Sequence, residues 1–335
     1  MRNSSRTLLS LLALLLLMAA CVPIATQDTA AEPAPQEETV AEPQAAPLVV
    51  VTTGNVIANH IYNIGGDRVT IERLVAQGTD PHHYEPAPSD VVKLTEADVI
   101  FLRGGNRPEA IRKRIERFAE EEATIAFVDA AIEPDEFIYD DFGHIDMHLG
   151  GDTIFAIRYA GQIRDTLVNR DPDNADTYIA NHDAYTARLM EVNEATKALV
   201  ATIPENNRQL YSYHNSFSYF ARRYGFIVLG SIQPHDFSEP SAHDVAEVID
   251  LLRELKLPAI FGSSFTPSPV MEQISREANV PIFWIDDDTL PGEPGDLEHS
   301  FVNMKVQNMK TLAEALGGDP TLMDHIDTRN IPETE

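Results

Sequence analysis

Short apolar runs alternate with amphipathic stretches along most of the chain. Residues 48–51 and 99–102 are apolar throughout, which is typical of strands buried on both faces of a sheet. Between them, residues 55–64 carry a helical period that ends at a pair of glycines. Strands that alternate with helices predict a parallel sheet covered on both faces.

The same patterns predict the remaining elements. Further strands are predicted at residues 68–75, 124–128, 209–213, 226–229, 259–261 and 282–285, and further helices at 89–96 with Ser89 as N-cap, 216–224, 242–256, 269–278 and 299–316. Residues 173–203 have one long helical period without glycine or proline, and Pro204 ends it. The chain is therefore predicted to be an α/β protein with two lobes, each with a mainly parallel sheet flanked by helices, joined by one long rigid helix.

The first residues have the features of an export signal. Arg2 and Arg6 precede an apolar run that is too short to span a bilayer, and small residues lead to Cys21, the one cysteine of the chain. This segment resembles a lipoprotein signal, which implies cleavage after Ala20 and lipidation of Cys21. An ordinary secretory signal with a chance cysteine is the alternative. A single cysteine excludes an internal disulfide or a thiolate metal site.

Composition divides the rest of the chain. Residues 22–47 are rich in Ala, Pro, Glu, Gln and Thr, which predicts a disordered tether. The expected organisation follows in chain order: signal 1–20, lipid-anchored tether 21–47, N-terminal lobe 48–172, long helix 173–204, C-terminal lobe 205–327 and tail 328–335.

The charge balance limits the partners. The chain has 53 acidic and 25 basic residues and a net charge of −28. Such a surface repels nucleic acid and anionic lipid headgroups and attracts cations.

Three of the eleven histidines, His82, His148 and His214, lie where a helix or strand pattern gives way to a loop. The triplet Asp286 to Asp288 follows the strand 282–285 in the same way. Ligands of open α/β sheets gather at the carboxyl ends of strands, so these residues are candidates for one site. Three imidazoles and a carboxylate would suit zinc and could hold manganese.

Four segments carry a resemblance to a known family. They are VAQGTDPHHYEPAPSDVVKLTEADVIFLRGG, SYHNSFSYFARRYGF, DFSEPSAHDVAEVIDLLRELKLPAIF and DDDTLPGEPGDLEHSFVNMKVQNMKTLAEAL. Together they resemble the cluster A-I solute-binding lipoproteins, the zinc and manganese receptors of ABC importers, over residues 48–318.

The resemblance implies a ligand set. It places His82 as first ligand, His148 as second, His214 as third and Asp288 as fourth, with Asp286 as the alternative because Pro291 lengthens the following loop. His83 occupies a variable position. The flanks of His148 differ from the family pattern, and the family's His-rich loop is missing, since residues 135–145 hold only His144. Three imidazoles favour zinc over manganese.

The resemblance implies a non-enzymatic receptor in the cell envelope. It would be anchored through Cys21 on the outer face of the cytoplasmic membrane as a monomer, and would pass a Zn²⁺ or Mn²⁺ cargo to an ABC permease. A surface adhesin or a metal chaperone is the alternative, and a zinc hydrolase with Glu85 as base is a weaker one. His60 and His182 are expected to be solvated or locally hydrogen-bonded, Trp284 to pack in the core, and His235, His243 and His299 to flank loops without an assigned role.

Overall fold

The computed structural model describes residues 46–75, 87–103, 113, 115, 117–119, 122–139, 143–233, 240–263, 268–286, 289–293, 295–296 and 298–333. The predictions for Cys21, His82, His83, His235 and Asp288 lie outside these ranges. None of the helices within them combines the length and the apolar composition that crossing a membrane requires.

The first sheet is parallel throughout. Its strands are β1 (Leu48–Thr52), β2 (Val69–Arg73), β3 (Val99–Leu102) and β4 (Thr124–Phe127), in the order β2-β1-β3-β4. Helix α1 (Asn55–Gly65) connects β1 to β2, and α2 (Pro88–Thr95) precedes β3. After α1, Gly66 has a φ of 54°, a backbone conformation that favours glycine and ends the helix.

Two helices separate this sheet from the second one. Helix α3 (Thr153–Arg170) begins at Asp152, whose side chain caps it, and α4 (Ala175–Thr202) is the long helix that the sequence predicts. At 28 residues, α4 is about 42 Å long. A short 3₁₀ turn, Pro172–Asn174, joins the two helices.

The second sheet repeats the order of the first. Its strands are β5 (Gln209–Ser212), β6 (Ile227–Ser231), β7 (Ile260–Gly262) and β8 (Ile282–Trp284), parallel and ordered β6-β5-β7-β8. The helices around it are α5 (Ser218–Tyr224), α6 (Ala242–Leu255), α7 (Pro269–Ala278) and α8 (Phe301–Leu316). The predicted fold class of two parallel sheets flanked by helices, with a long helix between them, is confirmed.

The largest hydrophobic core is continuous across both lobes. It contains Phe101 of the first sheet, Phe261 of the second and Leu189 of the long helix. Smaller clusters cover the other faces, around Ile100 in the first sheet and Ile260 in the second. Since close-packed interiors resist deformation, this shared core restrains movement of one lobe against the other.

The two sheet orders fix where a ligand can bind. In each sheet the chain leaves the two central strands in opposite directions, β1 and β3 in one sheet and β5 and β7 in the other. A crevice for ligands forms beyond the carboxyl ends of such strands. The carboxyl edges of the two sheets are therefore where a ligand site is expected.

Three local expectations were wrong. Ala87, not Ser89, is the N-cap of α2, because Pro88 begins the helix with its fixed φ. Trp284 is 38% exposed, because β8 lies at the edge of its sheet. His60 is neither solvated nor bonded within its own helix: it is buried and contacts the hydroxyl of Tyr185 in α4 through Nδ1 at 2.8 Å.

The two serines at helix starts give a stability test. Ser241 caps α6 with a reciprocal pair of hydrogen bonds to Asp244, so Ser241→Ala is expected to lower the free energy of unfolding by about 1 kcal/mol. Ser89→Ala is the matched control, because Ser89 is exposed within the first turn and does not cap α2. Urea unfolding measures both. An equal loss in the two variants would contradict the assignment of the caps.

Candidate metal centre

His148 stands just before α3, in a segment tied to both lobes. The Asp146 backbone N–H donates to the carbonyl of Ile138 at 2.8 Å, and the hydroxyl of Tyr219 in α5 donates to the carbonyl of Asp146 at 2.9 Å. Arg103, which follows β3, donates to the carbonyl of Met147 at 2.9 Å. The backbone at His148 is therefore fixed by an N-lobe cation and a C-lobe tyrosine.

Asp146 orients the imidazole of His148. One oxygen of Asp146, Oδ1, lies 2.7 Å from Nδ1 of His148 and accepts the His148 backbone N–H at 2.9 Å. Burial raises the pKa of the Asp146 carboxyl, but the hydrogen bonds and charge of His148 outweigh it and hold the pKa below its usual value. An ionised carboxylate can only accept, so Nδ1 carries the proton and Nε2 keeps a lone pair.

His214 follows β5 at the carboxyl edge of the second sheet. The Ser212 hydroxyl donates to its carbonyl at 2.6 Å, which shapes the turn between β5 and α5. Its Nδ1 lies 3.2 Å from Oε1 of Gln233, the second residue after β6. The amide oxygen accepts, so this contact also assigns the proton to Nδ1 and leaves the lone pair on Nε2.

The two imidazoles face one another across the lobes. Nε2 of His148 and Nε2 of His214 are 2.9 Å apart, and the ring planes are inclined at 68°. With both Nδ1 atoms protonated, two lone pairs would point at each other. Such a pair is stable when a proton or another cation lies between the two nitrogens.

The spacing is close to that of a metal-bound pair. Two nitrogens bound tetrahedrally to one zinc at about 2.0–2.1 Å are about 3.3 Å apart. An outward shift of about 0.4 Å would bring the pair to that separation, and each ring already has a group behind it that holds its orientation. The geometry therefore suits binding of a cation by both Nε2 atoms.

Asp286 lies at the end of β8 and is held by its neighbours. Its Oδ1 accepts a hydrogen bond from the Ser263 hydroxyl at 2.6 Å, and its backbone N–H donates to Oδ1 of Asn308 at 3.0 Å. The Asn308 amide donates in return to the carbonyl of Asp286. The Ser263 hydroxyl and the Asn308 amide thus hold both the side chain and the backbone of this aspartate.

Of the four predicted ligands, the structure brings together His148 and His214. His82 and Asp288 lie outside the described residues, and within those residues no set of three or more His, Cys, Asp or Glu side chains is arranged to hold a metal ion. The alternative, Asp286, is described, and its carboxylate accepts a hydrogen bond from the Ser263 hydroxyl.

The groups that support the pair of imidazoles were not predicted from the sequence. Asp146 stands two residues before His148, and that spacing could have indicated a carboxylate behind a ligand. Gln233 gave no such signal, because it lies 19 residues from His214, which it bonds. Tyr219 gave none either, because it lies 81 residues from Ile138, which it bonds. His243 is 79% exposed and pairs with Glu247.

Comparison with known proteins identifies relatives over most of the chain. Residues 50–315 match the family described as ZnuA, zinc-uptake complex component A, periplasmic. The manganese-binding lipoprotein MntA of Halalkalibacterium halodurans is 29% identical over 269 residues, 80% of this chain and 88% of that protein. The manganese ABC transporter substrate-binding lipoprotein PsaA of Streptococcus pneumoniae is 30% identical over 278 residues, 80% of this chain and 89% of its own.

A solved structure matches the fold. The periplasmic zinc binding protein TroA of Treponema pallidum superposes with a TM-score of 0.73 at 27% sequence identity, covering 81% of this chain and 99% of that one. PsaA is named as the substrate-binding lipoprotein of an ABC transporter, MntA as a manganese-binding lipoprotein and TroA as a zinc-binding protein, so the names describe binding proteins and not enzymes.

Proposed function

Because the chain belongs to the zinc-uptake complex component A family, we propose that it captures one divalent transition-metal ion between its lobes for an ABC importer. The ligands are His82, His148, His214 and Asp288, with Asp286 as the alternative carboxylate. The observation that carries the proposal is the pair of facing Nε2 atoms of His148 and His214, one from each lobe, 2.9 Å apart. Four protein ligands close a tetrahedral site, which suits capture and leaves no position for an activated water.

Zinc is the favoured cargo, and manganese is the alternative. Imidazole is a ligand of intermediate softness that suits zinc, whereas manganese prefers oxygen ligands. Relatives named for manganese and for zinc support a site that takes either class of ion. The proposal for this chain rests on the three imidazoles.

The proposed partner is the permease of an ABC importer, and the proposed location is the outer face of the cytoplasmic membrane. Relatives named as lipoproteins of ABC transporters support lipidation of Cys21 as the anchor. The tether of residues 22–47 would let the two lobes reach the permease as a monomer. The acidic balance of the chain favours accumulation of cations near the site.

The direct test is equilibrium dialysis of residues 22–335 with zinc and with manganese. One ion bound per chain, with zinc held more tightly, is expected. His82→Ala is expected to lower zinc affinity about 100-fold or more, because even groups behind a metal ligand contribute about 10–100-fold. His83→Ala is the matched control with little change.

A second matched pair separates the two aspartates. Asp288→Asn should weaken zinc binding as strongly as His82→Ala, whereas Asp286→Asn should have the smaller effect of an anchoring group. The reverse order would transfer the fourth ligand to Asp286. Binding that survives both His82→Ala and Asp288→Asn would refute the proposed site.

A further inference from the structure

The segment around His148 lies against helix α5, which comes from the other side of the long helix in the chain. We name residues 146–152 the His148 turn; it directly precedes α3. Helix α5 follows His214, and the Ser216 backbone N–H donates to the His214 carbonyl at 3.1 Å in the short connection between them. Both imidazoles of the facing pair therefore lie next to one contact, the contact between the His148 turn and α5.

Arg223 of α5 binds Asp152 at the end of the His148 turn. Its Nε lies 2.8 Å from each of the two carboxylate oxygens, and its Nη2 lies 2.6 Å from Oδ2. The Asp152 side chain is 1% exposed and the Arg223 side chain 32% exposed. Oδ1 of Asp152 also accepts the Ile154 backbone N–H at 2.9 Å. Because the planar guanidinium fork fits a carboxylate in few orientations, this contact fixes the end of the turn relative to α5.

Gly151 lets the His148 turn approach the backbone of α5. A Cβ on Gly151 would lie 3.2 Å from the backbone nitrogen of Phe220, which is closer than ordinary van der Waals contact. A backbone nitrogen cannot turn aside, so any side chain at Gly151 would push the turn away from the helix. The Gly151 backbone N–H donates to the His148 carbonyl at 3.1 Å. A displacement of Gly151 therefore reaches His148 directly.

The other end of the His148 turn is also bonded to α5. The fully buried Tyr219 donates its hydroxyl hydrogen to the carbonyl of Asp146 at 2.9 Å. Asp146 is the carboxylate that holds Nδ1 of His148 at 2.7 Å. Helix α5 thus contacts the turn on both sides of the imidazole.

Helix α5 is itself fixed to the helices beside it. The hydroxyl of Tyr224, its last residue, lies 3.0 Å from the Thr153 hydroxyl at the start of α3 and 3.1 Å from Oδ1 of Asn193 in α4. All three side chains are buried. The helix cannot slide along the His148 turn without breaking these bonds, so it serves as a rigid support for the turn.

We propose that Arg223 is a positioning residue for metal binding: by binding Asp152 it holds the His148 turn on α5 and keeps the two facing Nε2 atoms at the separation that one metal ion requires. This inference rests on the proposed function. Arg223 acts through Asp152 and the turn, and its effect is to slow the loss of the bound ion.

The direction of the effect separates positioning from simple electrostatics. Arg223 carries a positive charge, so by charge alone its removal would favour a cation bound nearby. Positioning predicts the opposite result. Without Arg223 the His148 turn is less firmly held, and the ion is lost faster.

The test measures the rate of zinc loss to excess chelator by stopped flow. Arg223→Gln is expected to speed zinc loss about 10-fold, the smaller of the effects typical of groups behind a metal ligand. Arg170→Gln is the matched control, because Arg170 is 35% exposed and forms a pair at 2.9 Å with an aspartate, Asp98. Asp98 directly precedes β3 and so lies at the amino edge of its sheet, opposite the site. This control should leave zinc loss unchanged.

A second variant moves the His148 turn without removing a polar group. Gly151→Ala adds one methyl group against the backbone of α5 and should speed zinc loss about 3-fold or more. It leaves the pair of Arg223 and Asp152 in place, so it tests the position of the turn even if Arg223→Gln does not fold.

A double variant separates positioning from stability. Arg223→Gln alone leaves the Asp152 carboxylate buried without its cation, which lowers the free energy of unfolding. Adding Asp152→Asn removes that stranded charge and restores the net charge of the wild type. Stability in urea should then recover towards that of the wild type, whereas zinc loss should stay fast, because two neutral amides do not replace the charge-assisted contact.

Four results would contradict the inference. Equal rates of zinc loss from Arg223→Gln and Arg170→Gln, with normal wild-type binding, would overturn it alone. Slower zinc loss from Arg223→Gln, unchanged zinc loss from Gly151→Ala, or a double variant that regains both stability and zinc retention would do the same. A wild-type chain that binds neither metal would overturn the proposed function and this inference with it.

Discussion

Replacing His214 with alanine is expected to lower zinc affinity about 100-fold or more. The change removes one of the two nitrogens that face each other at 2.9 Å and leaves Nε2 of His148 alone at that position. The neighbouring hydroxyl of Ser212 at the end of β5 does not replace it, because that hydroxyl is bonded to the His214 carbonyl. Competition with a fluorescent zinc chelator at pH 7.5 measures the affinity.

Two further variants make this result specific. His243→Ala removes an exposed imidazole from the same lobe and should leave zinc affinity unchanged. Asp146→Asn keeps the shape behind His148 but loses the charge, and should weaken zinc binding about 10–100-fold. If His214→Ala bound zinc as well as His243→Ala does, the facing pair would have no part in metal capture.

Local patterns were sufficient to predict much of the fold. Val99 to Leu102 form a fully buried strand in the structure, as an unbroken apolar run predicts. The long helix differs from its prediction by two residues at the start and one at the end, because Pro172–Asn174 forms a separate 3₁₀ turn. At the start of α2 the preference of serine for the N-cap competed with the preference of proline for the first helical position. The helix begins at Pro88, because the fixed φ of proline suits that position.

The site could be predicted only in part, for a physical reason. Placement at the end of a strand indicated His214, and the structure brings it to His148 from 66 residues away. The contacts between the lobes have no local signature: Arg73 and Glu293 are 220 residues apart, and Asn55 and Leu290 are 235 apart. Such pairs form where the two lobes meet. The hydrophobic periodicity of one segment predicts its secondary structure but not its contacts with a distant segment.

His60 should make the folded chain acid-sensitive. Burial, followed by the charges of Lys305 and Arg103, lowers the pKa of His60 to about 3 in the folded protein, whereas in the unfolded chain it stays near 6.5. Between these two pKa values, His60 is protonated in the unfolded chain and neutral in the folded one. Stability is complete above pH 6.5 and falls as the pH drops from 6.5 towards 3, by about 1.4 kcal/mol per pH unit.

The surroundings of His60 explain why it stays neutral. Its ring packs between Phe301 of α8 and Tyr159 of α3, and Nδ1 bonds the Tyr185 hydroxyl in the long helix. Nε2 is buried without a hydrogen-bond partner among the described residues. A protonated imidazole at this buried position, where both lobes contact α4, would be a charge without solvent or an opposite charge beside it, which is unfavourable.

The test compares urea unfolding of the metal-free protein at pH 7.5 and pH 5. His60→Gln keeps a group that can bond Tyr185 but does not titrate, so it should reduce the stability difference between the two pH values by about 2 kcal/mol. His243→Gln, in an exposed position, should retain the full difference. Burial also lowers the pKa of His299, so some acid sensitivity should remain in His60→Gln. The double variant with His299→Gln should show a still smaller stability difference between the two pH values. An unchanged pH difference in His60→Gln would show that the buried imidazole is not a source of acid sensitivity.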